Sequence, residues 1–108
     1  MKLMIPKPKH KRRKPKRSKR GEFSKKTIEA IYKRDAGLCQ ICASKGHEIH
    51  HCKFKSQGGR GVYQNGLLLC SNCHTKVHQS FELAEKLRER MMSRYGADYF
   101  RDRWDLND

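Results

Sequence analysis

Residues 39–78 read CQICASKGHEIHHCKFKSQGGRGVYQNGLLLCSNCHTKVH, and this stretch decides the fold. It begins and nearly ends with a Cys-x2-Cys pair, and 27 residues separate the two pairs. Two knuckles of this kind supply four thiolates to one tetrahedral Zn²⁺ in a closed structural site. The spacing therefore predicts a structural zinc site whose ligands are Cys39, Cys42, Cys70 and Cys73.

Disulfides and a redox-active pair are the alternatives for these cysteines. Disulfides are rare in intracellular proteins, and a redox motif does not explain the presence of two pairs. The fifth cysteine, Cys52, is predicted to be a small buried strand residue, with a ligand or nucleophile as the alternative.

A small α+β fold is predicted around this stretch. The segments EIHHCKF and NGLLLC resemble two short strands joined by the Gly-rich loop at 56–61. A first helix is expected over 23–39, with Ser24 as its N-cap and Gly37 as its stop. A last helix is expected from Ser80 to a break near Gly96, with large apolar residues available for burial: Phe81, Leu83, Leu87, Met91 and Tyr95.

Histidines are concentrated in the same region, where four of the six lie within 29 residues. His50 and His51 are neighbours on the first predicted strand, so their side chains should point to opposite faces. His74 and His78 are four residues apart, which places them on one face of a helix. One ion would not easily bind both His50 and His51, so a single metal site does not explain the doublet. Four histidines this close together are also difficult to explain by packing.

The formal net charge of +15 is concentrated at the N-terminus. Residues 1–21 hold 11 of the 26 basic residues and no acidic one, whereas residues 22–108 hold 15 basic and 11 acidic residues, a net +4. Such a segment is too charged to collapse. The sequence therefore predicts a disordered basic arm over 1–22 and a folded domain over 23–108.

A basic arm attracts polyanions, of which nucleic acid is the commonest. A solubilising segment, or an address label in a nucleated cell, is the alternative. The residues predicted to contact nucleic acid are Lys11, Arg12, Arg13, Lys14, Lys16, Arg17, Lys19 and Arg20.

Membrane and secretory classes are not favoured by the sequence. No apolar run approaches the ~18 residues of a membrane span, and the first ten residues lack the apolar centre of a signal peptide. We therefore expect a cytoplasmic protein without a membrane partner. Its domain has few large apolar residues, so a bound metal would contribute strongly to folding.

The order HH, GG, N, LC, CxxCH and xxxH over residues 24–79 resembles the HNH endonuclease family. The resemblance implies a ββα-metal finger with its motif core at 39–79 and a C-terminal helical extension at 80–108. The chain departs from the family's usual pattern at CKFK, residues 52–55, and at Gly66. Lys53 and Lys55 there either approach a phosphate or are solvated strand residues.

The resemblance also implies a role for each site residue. His51 matches the general base, and Asn65 matches the asparagine that holds the loop and orients the base. His50, His74 and His78 match the positions that bind the catalytic metal. Glu48 lies where some relatives have an auxiliary carboxylate.

The activity implied is metal-dependent hydrolysis of DNA phosphodiester bonds, which leaves 5′-phosphate and 3′-hydroxyl ends. Mg²⁺, Mn²⁺, Ni²⁺ and Zn²⁺ are all candidates for the catalytic ion, since imidazoles favour the transition metals and availability favours Mg²⁺ or Mn²⁺. An RNA substrate is compatible with the same residues. The alternative of a different class is a non-catalytic, zinc-ribbon-like nucleic-acid-binding protein, which leaves the histidines and Asn65 without a role.

Small stand-alone HNH proteins of this type resemble phage or prophage proteins. That resemblance implies DNA packaging as one use, with packaging or other DNA-processing proteins as partners.

Overall fold

The computed structural model describes residues 14–106 of the chain. Short 3₁₀ turns at Lys55–Gln57 and Tyr63–Asn65 shape the connection between its two strands. The helices and strands, in chain order, are α1 (Arg17–Arg20), α2 (Lys25–Arg34), β1 (Glu48–His51), β2 (Gly66–Leu69), α3 (Ser71–Gln79), α4 (Phe81–Tyr95) and α5 (Arg103–Leu106). The predicted small α+β fold, a hairpin followed by a helix, is confirmed. Within 14–106, no helix is long and apolar enough to cross a membrane.

Strands β1 and β2 pair in antiparallel register, with His50 opposite Leu67 and His51 opposite Gly66. Because side chains alternate along a strand, His50 and its neighbour face opposite sides of the hairpin. All four residues of β2 are buried, since α2 packs against this strand and α3 packs against β1. The hairpin therefore lies between helices, and His50 is fully buried.

The core is small and surrounds the end of the hairpin. Cys52 is fully buried within it, as the sequence predicts, and packs in a cluster with residues of β2 and of helices α3 and α4. Burial raises the pKa of the Cys52 thiol to about 12, so this cysteine is an inert part of the core. The other buried apolar residues of the cluster include Leu67, Leu69, Val77, Leu87, Met91 and Tyr99.

Helix α2 begins as predicted but ends earlier than Gly37. The Ser24 hydroxyl accepts a hydrogen bond from the Thr27 amide and caps the first turn. At the other end, the buried Asp35 carboxylate accepts the Leu68 amide of β2 at 3.0 Å. The helix therefore stops at Arg34, where the chain is held to the strand, and Gly37 follows in a left-handed turn with φ 71°.

Helix α4 begins at Phe81, one residue after the predicted start, with Ser80 as its N-cap, and it ends before Gly96, where a break is predicted. Its buried face consists of Ala84, Leu87 and Met91, which follow one another at helical spacings of three and four. The predicted burial of Phe81 is wrong: this side chain is 77% exposed. As the first residue of the helix it lies one turn before the buried face.

The end of the predicted arm differs from the expectation of disorder through residue 22. Residues 17–20 form a helical turn, and the Arg20 carbonyl accepts the Gly61 amide at 2.8 Å. The Arg20 side chain pairs with Asp102. Sequence analysis missed this because the acidic partner lies 82 residues away. The predicted contacts of Lys11, Arg12 and Arg13 lie outside the described residues.

Candidate metal centres and active site

The four cysteines of the knuckles come together. Their sulfur atoms all lie within 4.8 Å of one another, and the sulfurs of Cys42 and Cys70 are 3.7 Å apart. Tetrahedral zinc with Zn–S bonds of about 2.3 Å separates its sulfurs by about 3.8 Å. All five cysteines are free thiols rather than disulfides. The cluster therefore has the composition and spacing of a closed metal site.

The pKa values of these thiols also favour the binding of a cation at the cluster. The backbone amide of Cys73 donates to the Cys70 sulfur and lowers the pKa of that thiol. Burial and the neighbouring cysteines raise the pKa of Cys73 to about 12. Four thiolates in one place repel each other, so the last proton leaves only when a cation compensates the charge.

Three histidines form a second cluster, and their ligating nitrogens also lie within 4.8 Å of one another. The Nε2 atoms of His74 and His78 are 3.2 Å apart. Two imidazole nitrogens bound to one tetrahedral ion, at metal–nitrogen distances of about 2.0–2.1 Å, are separated by about 3.3 Å. Helix α3 produces this convergence, because its two histidines lie one turn apart and both contact His50 of β1, with ring centroids 5.2 and 5.4 Å from that of His50.

His50 provides the strongest indication of a ligand at this cluster. Its side chain is fully buried, and neither ring nitrogen has a hydrogen-bond partner among the described residues. A buried polar atom without a partner is costly, and a metal ion would satisfy it. Burial, followed by the charges of His74 and His78, lowers the pKa of His50 to about 3, so the ring is neutral as a metal ligand must be.

Glu48 orients one of the cluster's histidines. Its Oε1 atom lies 2.5 Å from His74 Nδ1, and its Oε2 atom accepts the Ser71 hydroxyl at 3.1 Å. The two contacts lower the pKa of the Glu48 carboxyl. A carboxylate behind a histidine fixes its tautomer and directs the other nitrogen towards the metal. Glu48 thus lies behind the site rather than among its ligands.

His51 lies apart from this cluster, on the other face of the hairpin. It is half-buried, and the Phe23 ring lies over it at a centroid distance of 4.3 Å. Its Nε2 atom is 2.6 Å from the Gly21 carbonyl oxygen. Since a carbonyl oxygen only accepts, Nε2 must carry the proton, which leaves Nδ1 as the basic nitrogen. Burial lowers the pKa of His51.

Asn65 uses its whole side chain to hold the loop between the strands. Its Oδ1 accepts the Lys53 amide at 2.7 Å. Its Nδ2 donates to the carbonyls of Lys53 at 3.1 Å and of Arg60 at 3.0 Å. The loop passes so close that a Cβ at Gly59 would overlap the Lys53 carbonyl oxygen. Asn65 therefore fixes the chain that follows His51.

A cleft of about 400 Å³ is shared by His51 and by two histidines of the three-histidine cluster. Its lining consists of His51, Phe54, Lys55, Ser56, His74 and His78. Phe54 stacks on His78 at 5.2 Å between ring centroids. Lys55 lies in the cleft, whereas Lys53 lies over the Phe100 ring. The sequence left open whether Lys53 and Lys55 approach a phosphate or are solvated, and the structure places Lys55, but not Lys53, in the lining of this cleft.

Sequence analysis missed three contributors to this site: the Gly21 carbonyl and the rings of Phe23 and Phe54. No motif could reveal the first two, because they reach His51 from a segment about 30 residues earlier. Phe54 follows the histidine doublet closely, and its position there was the one available signal.

A model of the HNH endonuclease family matches residues 39–80. Over this stretch the chain is similar to an HNH endonuclease domain. The matched residues include both knuckles, the histidine doublet and the histidines of α3, so the resemblance drawn from the sequence is confirmed. The HNH domain is characteristic of nucleases that act on nucleic acid. A search of curated proteins found no match to the chain.

Proposed function

We propose that this HNH protein is a metal-dependent endonuclease that hydrolyses DNA phosphodiester bonds with His51 as its general base. The observation that carries the proposal is the cleft that His51 shares with His74 and His78. A base and a metal site on one cleft are the two components that one-metal phosphodiester hydrolysis needs.

The catalytic ion would be held by His50, His74 and His78. The two partnerless nitrogens of His50, which stand out among the described residues, support this assignment. When bound, a divalent ion neutralises charge on the phosphoryl group and on the departing 3′-oxygen. The donor set of three imidazoles favours Mn²⁺, Ni²⁺ or Zn²⁺, while Mg²⁺ would draw on oxygen ligands from substrate and water. The four cysteines would hold a structural Zn²⁺.

His51 would accept a proton from the water that attacks the phosphorus in line. The Gly21 carbonyl holds the Nε2 proton, so Nδ1 is the nitrogen that takes it. Burial and the nearby Lys55 ammonium lower the pKa of His51, so the ring is neutral and able to act near physiological pH. The expected products carry 5′-phosphate and 3′-hydroxyl ends.

Substrate binding would use the cation of the cleft and the basic N-terminal segment. Lys55 lies in the cleft where a scissile phosphate would enter. Arg20 no longer belongs to this set, because its side chain is 7% exposed and its guanidinium is paired with two carboxylates. The remaining predicted contacts, which carry no sequence information, are Lys11, Arg12, Arg13, Lys14, Lys16, Arg17 and Lys19.

The test is cleavage of supercoiled plasmid with titrated Mg²⁺, Mn²⁺, Ni²⁺ or Zn²⁺. We expect the His51→Ala variant to cut about 10²–10⁴-fold more slowly than the wild type, which is the usual effect of removing a general base. His47→Ala is the matched control, since His47 is exposed and lies outside the cleft. If the wild type leaves every substrate intact, or if His51→Ala cuts as fast as the wild type, the mechanism is wrong.

A single-stranded RNA of the same sequence, run beside the plasmid and a DNA oligonucleotide, tests the choice of DNA. A non-catalytic zinc-ribbon-like binder would bind all of these and cut none. That alternative leaves the buried nitrogens of His50 unexplained, and this observation favours the nuclease. Packaging or other processing of phage DNA stays a prediction.

A further inference from the structure

An ion-pair cluster outside the cleft connects the N-terminal segment to the C-terminal end of the domain. Arg20 donates to both carboxylate oxygens of Asp102, at 2.8 and 2.7 Å, and to Asp105 at 2.8 Å. Arg60 donates to both oxygens of Asp105, at 2.9 and 3.0 Å. The side chains of these four residues are between 7% and 19% exposed. Paired contacts of this kind are stronger and more directional than surface ion pairs.

The segment that carries Arg20 depends on this cluster for its position. Helix α1 has only four residues, Arg17–Arg20, and none of them belongs to the buried apolar core. A helix of that length has no stability of its own, and this one has no apolar anchor. Two further hydrogen bonds hold this turn: Gly61 donates its amide to the Arg20 carbonyl, and the exposed Arg17 side chain donates to the Ser56 carbonyl at 3.0 Å.

Gly21, the residue after Arg20, is the one whose carbonyl oxygen contacts His51. That oxygen lies 2.6 Å from Nε2, and Phe23, two residues later, supplies the ring over the imidazole. On the other side of the loop, the Arg60 carbonyl accepts from Asn65. The ion-pair cluster is therefore attached to two parts of the chain. Arg20 precedes the Gly21 carbonyl that contacts the His51 ring, and Arg60 lies in the loop that Asn65 hydrogen-bonds.

We propose that Arg20, Arg60, Asp102 and Asp105 form a clamp that positions His51 by fixing the Gly21 carbonyl against its Nε2 atom. The proposal rests on the proposed function, in which His51 is the general base. The four are positioning residues that do not touch the substrate. Loosening the clamp lets the ring rotate and exchange tautomers, so that Nδ1 no longer faces the cleft as the basic nitrogen.

The test compares Asp102→Asn with Asp98→Asn in the full chain. Each change removes one negative charge from the C-terminal segment. Because a carboxylate repels phosphate, neither change removes a contact with the DNA backbone. Asp98 pairs with Arg101 in an exposed ion pair, with side chains 63% and 47% exposed. The amide that Asp102→Asn introduces retains an oxygen that can accept the Asp105 backbone N–H, as the Asp102 carboxylate does. The comparison therefore isolates the charged contacts of Asp102 with the two arginines of the cluster, Arg20 and, at 3.9 Å, Arg60.

We expect Asp102→Asn to lower kcat about 10–100-fold without raising KM, because a displacement of about 1 Å in a catalytic group has an effect of that order. Asp98→Asn should cut like the wild type. The ¹⁵N shifts of the His51 ring are the second readout: they should report a proton fixed on Nε2 in the wild type and a mixture of tautomers in Asp102→Asn. Metal content measured on the same samples shows that the domain is folded.

The outcomes separate the clamp from the proposed function. If the wild type cuts, and Asp102→Asn matches it in kcat and in tautomer, the clamp is wrong and the nuclease stands. If the wild type does not cut but Asp102→Asn still mixes the tautomers, the proposed function is wrong and the clamp on His51 stands. Should Asp102→Asn fail to bind metal, Arg20→Lys repeats the test, since it keeps the charge and removes the two-pronged geometry.

Discussion

The two candidate metal-binding clusters of this protein contrast in ligand number and in access. Four cysteine sulfurs form one cluster, with Cys39 and Cys73 buried. Three histidine nitrogens form the other, with His50 buried and His78 exposed at the cleft. Four protein ligands fill a tetrahedral ion, whereas three leave a position for water or substrate. The difference suits a structural role for the first cluster and a chemical role for the second.

The clusters also differ in what they connect. The cysteine cluster joins the turn after α2 to the start of α3, so it closes the hairpin region from both ends. The histidine cluster joins only β1 to α3, which already pack against each other. We therefore expect loss of the first metal to affect folding and loss of the second to affect activity.

Removing a cysteine ligand should have the largest effect. Cys73→Ser leaves three sulfur ligands, and structural zinc contributes about 10–16 kcal/mol of apparent binding energy in small zinc-dependent folds. We expect the variant to lose the metal of the cysteine cluster and its cooperative thermal transition, measured by circular dichroism and metal analysis. Cys52→Ala, in the same core but outside the cluster, is the control and should keep both metals. A Cys73→Ser protein that melts like the wild type would contradict the structural role.

Removing a histidine ligand should stop cleavage while leaving the fold intact. His78→Ala leaves two ligands for the catalytic ion, which supplies several kcal/mol to the transition state, so cleavage should fall by about 10²-fold or more. Metal analysis should find the cysteine-bound ion alone. Thr75→Ala, at an exposed position of the same helix, is the control. If His78→Ala unfolds as Cys73→Ser does, the division between the two clusters is wrong.

Neutralising Glu48 should have an intermediate effect confined to the histidine cluster. Glu48→Gln weakens the contact that fixes the His74 ring, and changes of this kind reduce metal affinity about 10–100-fold. Titration with Ni²⁺ or Mn²⁺ measures the change. Glu29→Gln, which removes an exposed carboxylate from α2, should bind the ion normally. Equal affinities for the two variants would show that Glu48 does not orient the ligand.

Removing residues 1–13 should have the smallest effect and should leave both clusters unchanged. This deletion takes away six basic residues, so the slope of log affinity against log salt should fall by about 0.9 for each phosphate that is no longer neutralised. The kcat at saturating DNA should stay constant. Deleting residues 1–21 instead also removes Arg20 and the Gly21 carbonyl, and should lower kcat as well. Identical kcat values for the two deletions would contradict the clamp.

Much of the fold was predictable because local patterns carry it. The Cys-x2-Cys spacings bring each sulfur pair together within one turn, and the spacing of His74 and His78 requires only one turn of helix. The serine caps at Ser24 and Ser80 were predictable for the same reason. The end of α2 and the exposure of Phe81 were not, because each depends on which other element packs nearby.

The sequence by itself indicated the two candidate ligand sets, the order of the hairpin and helix, and the likeness to the HNH family. Those features depend on residue types at short spacings. Because helices, strands and knuckle turns have regular backbone geometry, such spacings fix where the side chains lie relative to one another. Tertiary structure alone decided that the Gly21 carbonyl holds His51, and that Arg20 reaches Asp102 across 82 residues. Such contacts depend on how whole elements pack, so no local spacing encodes them.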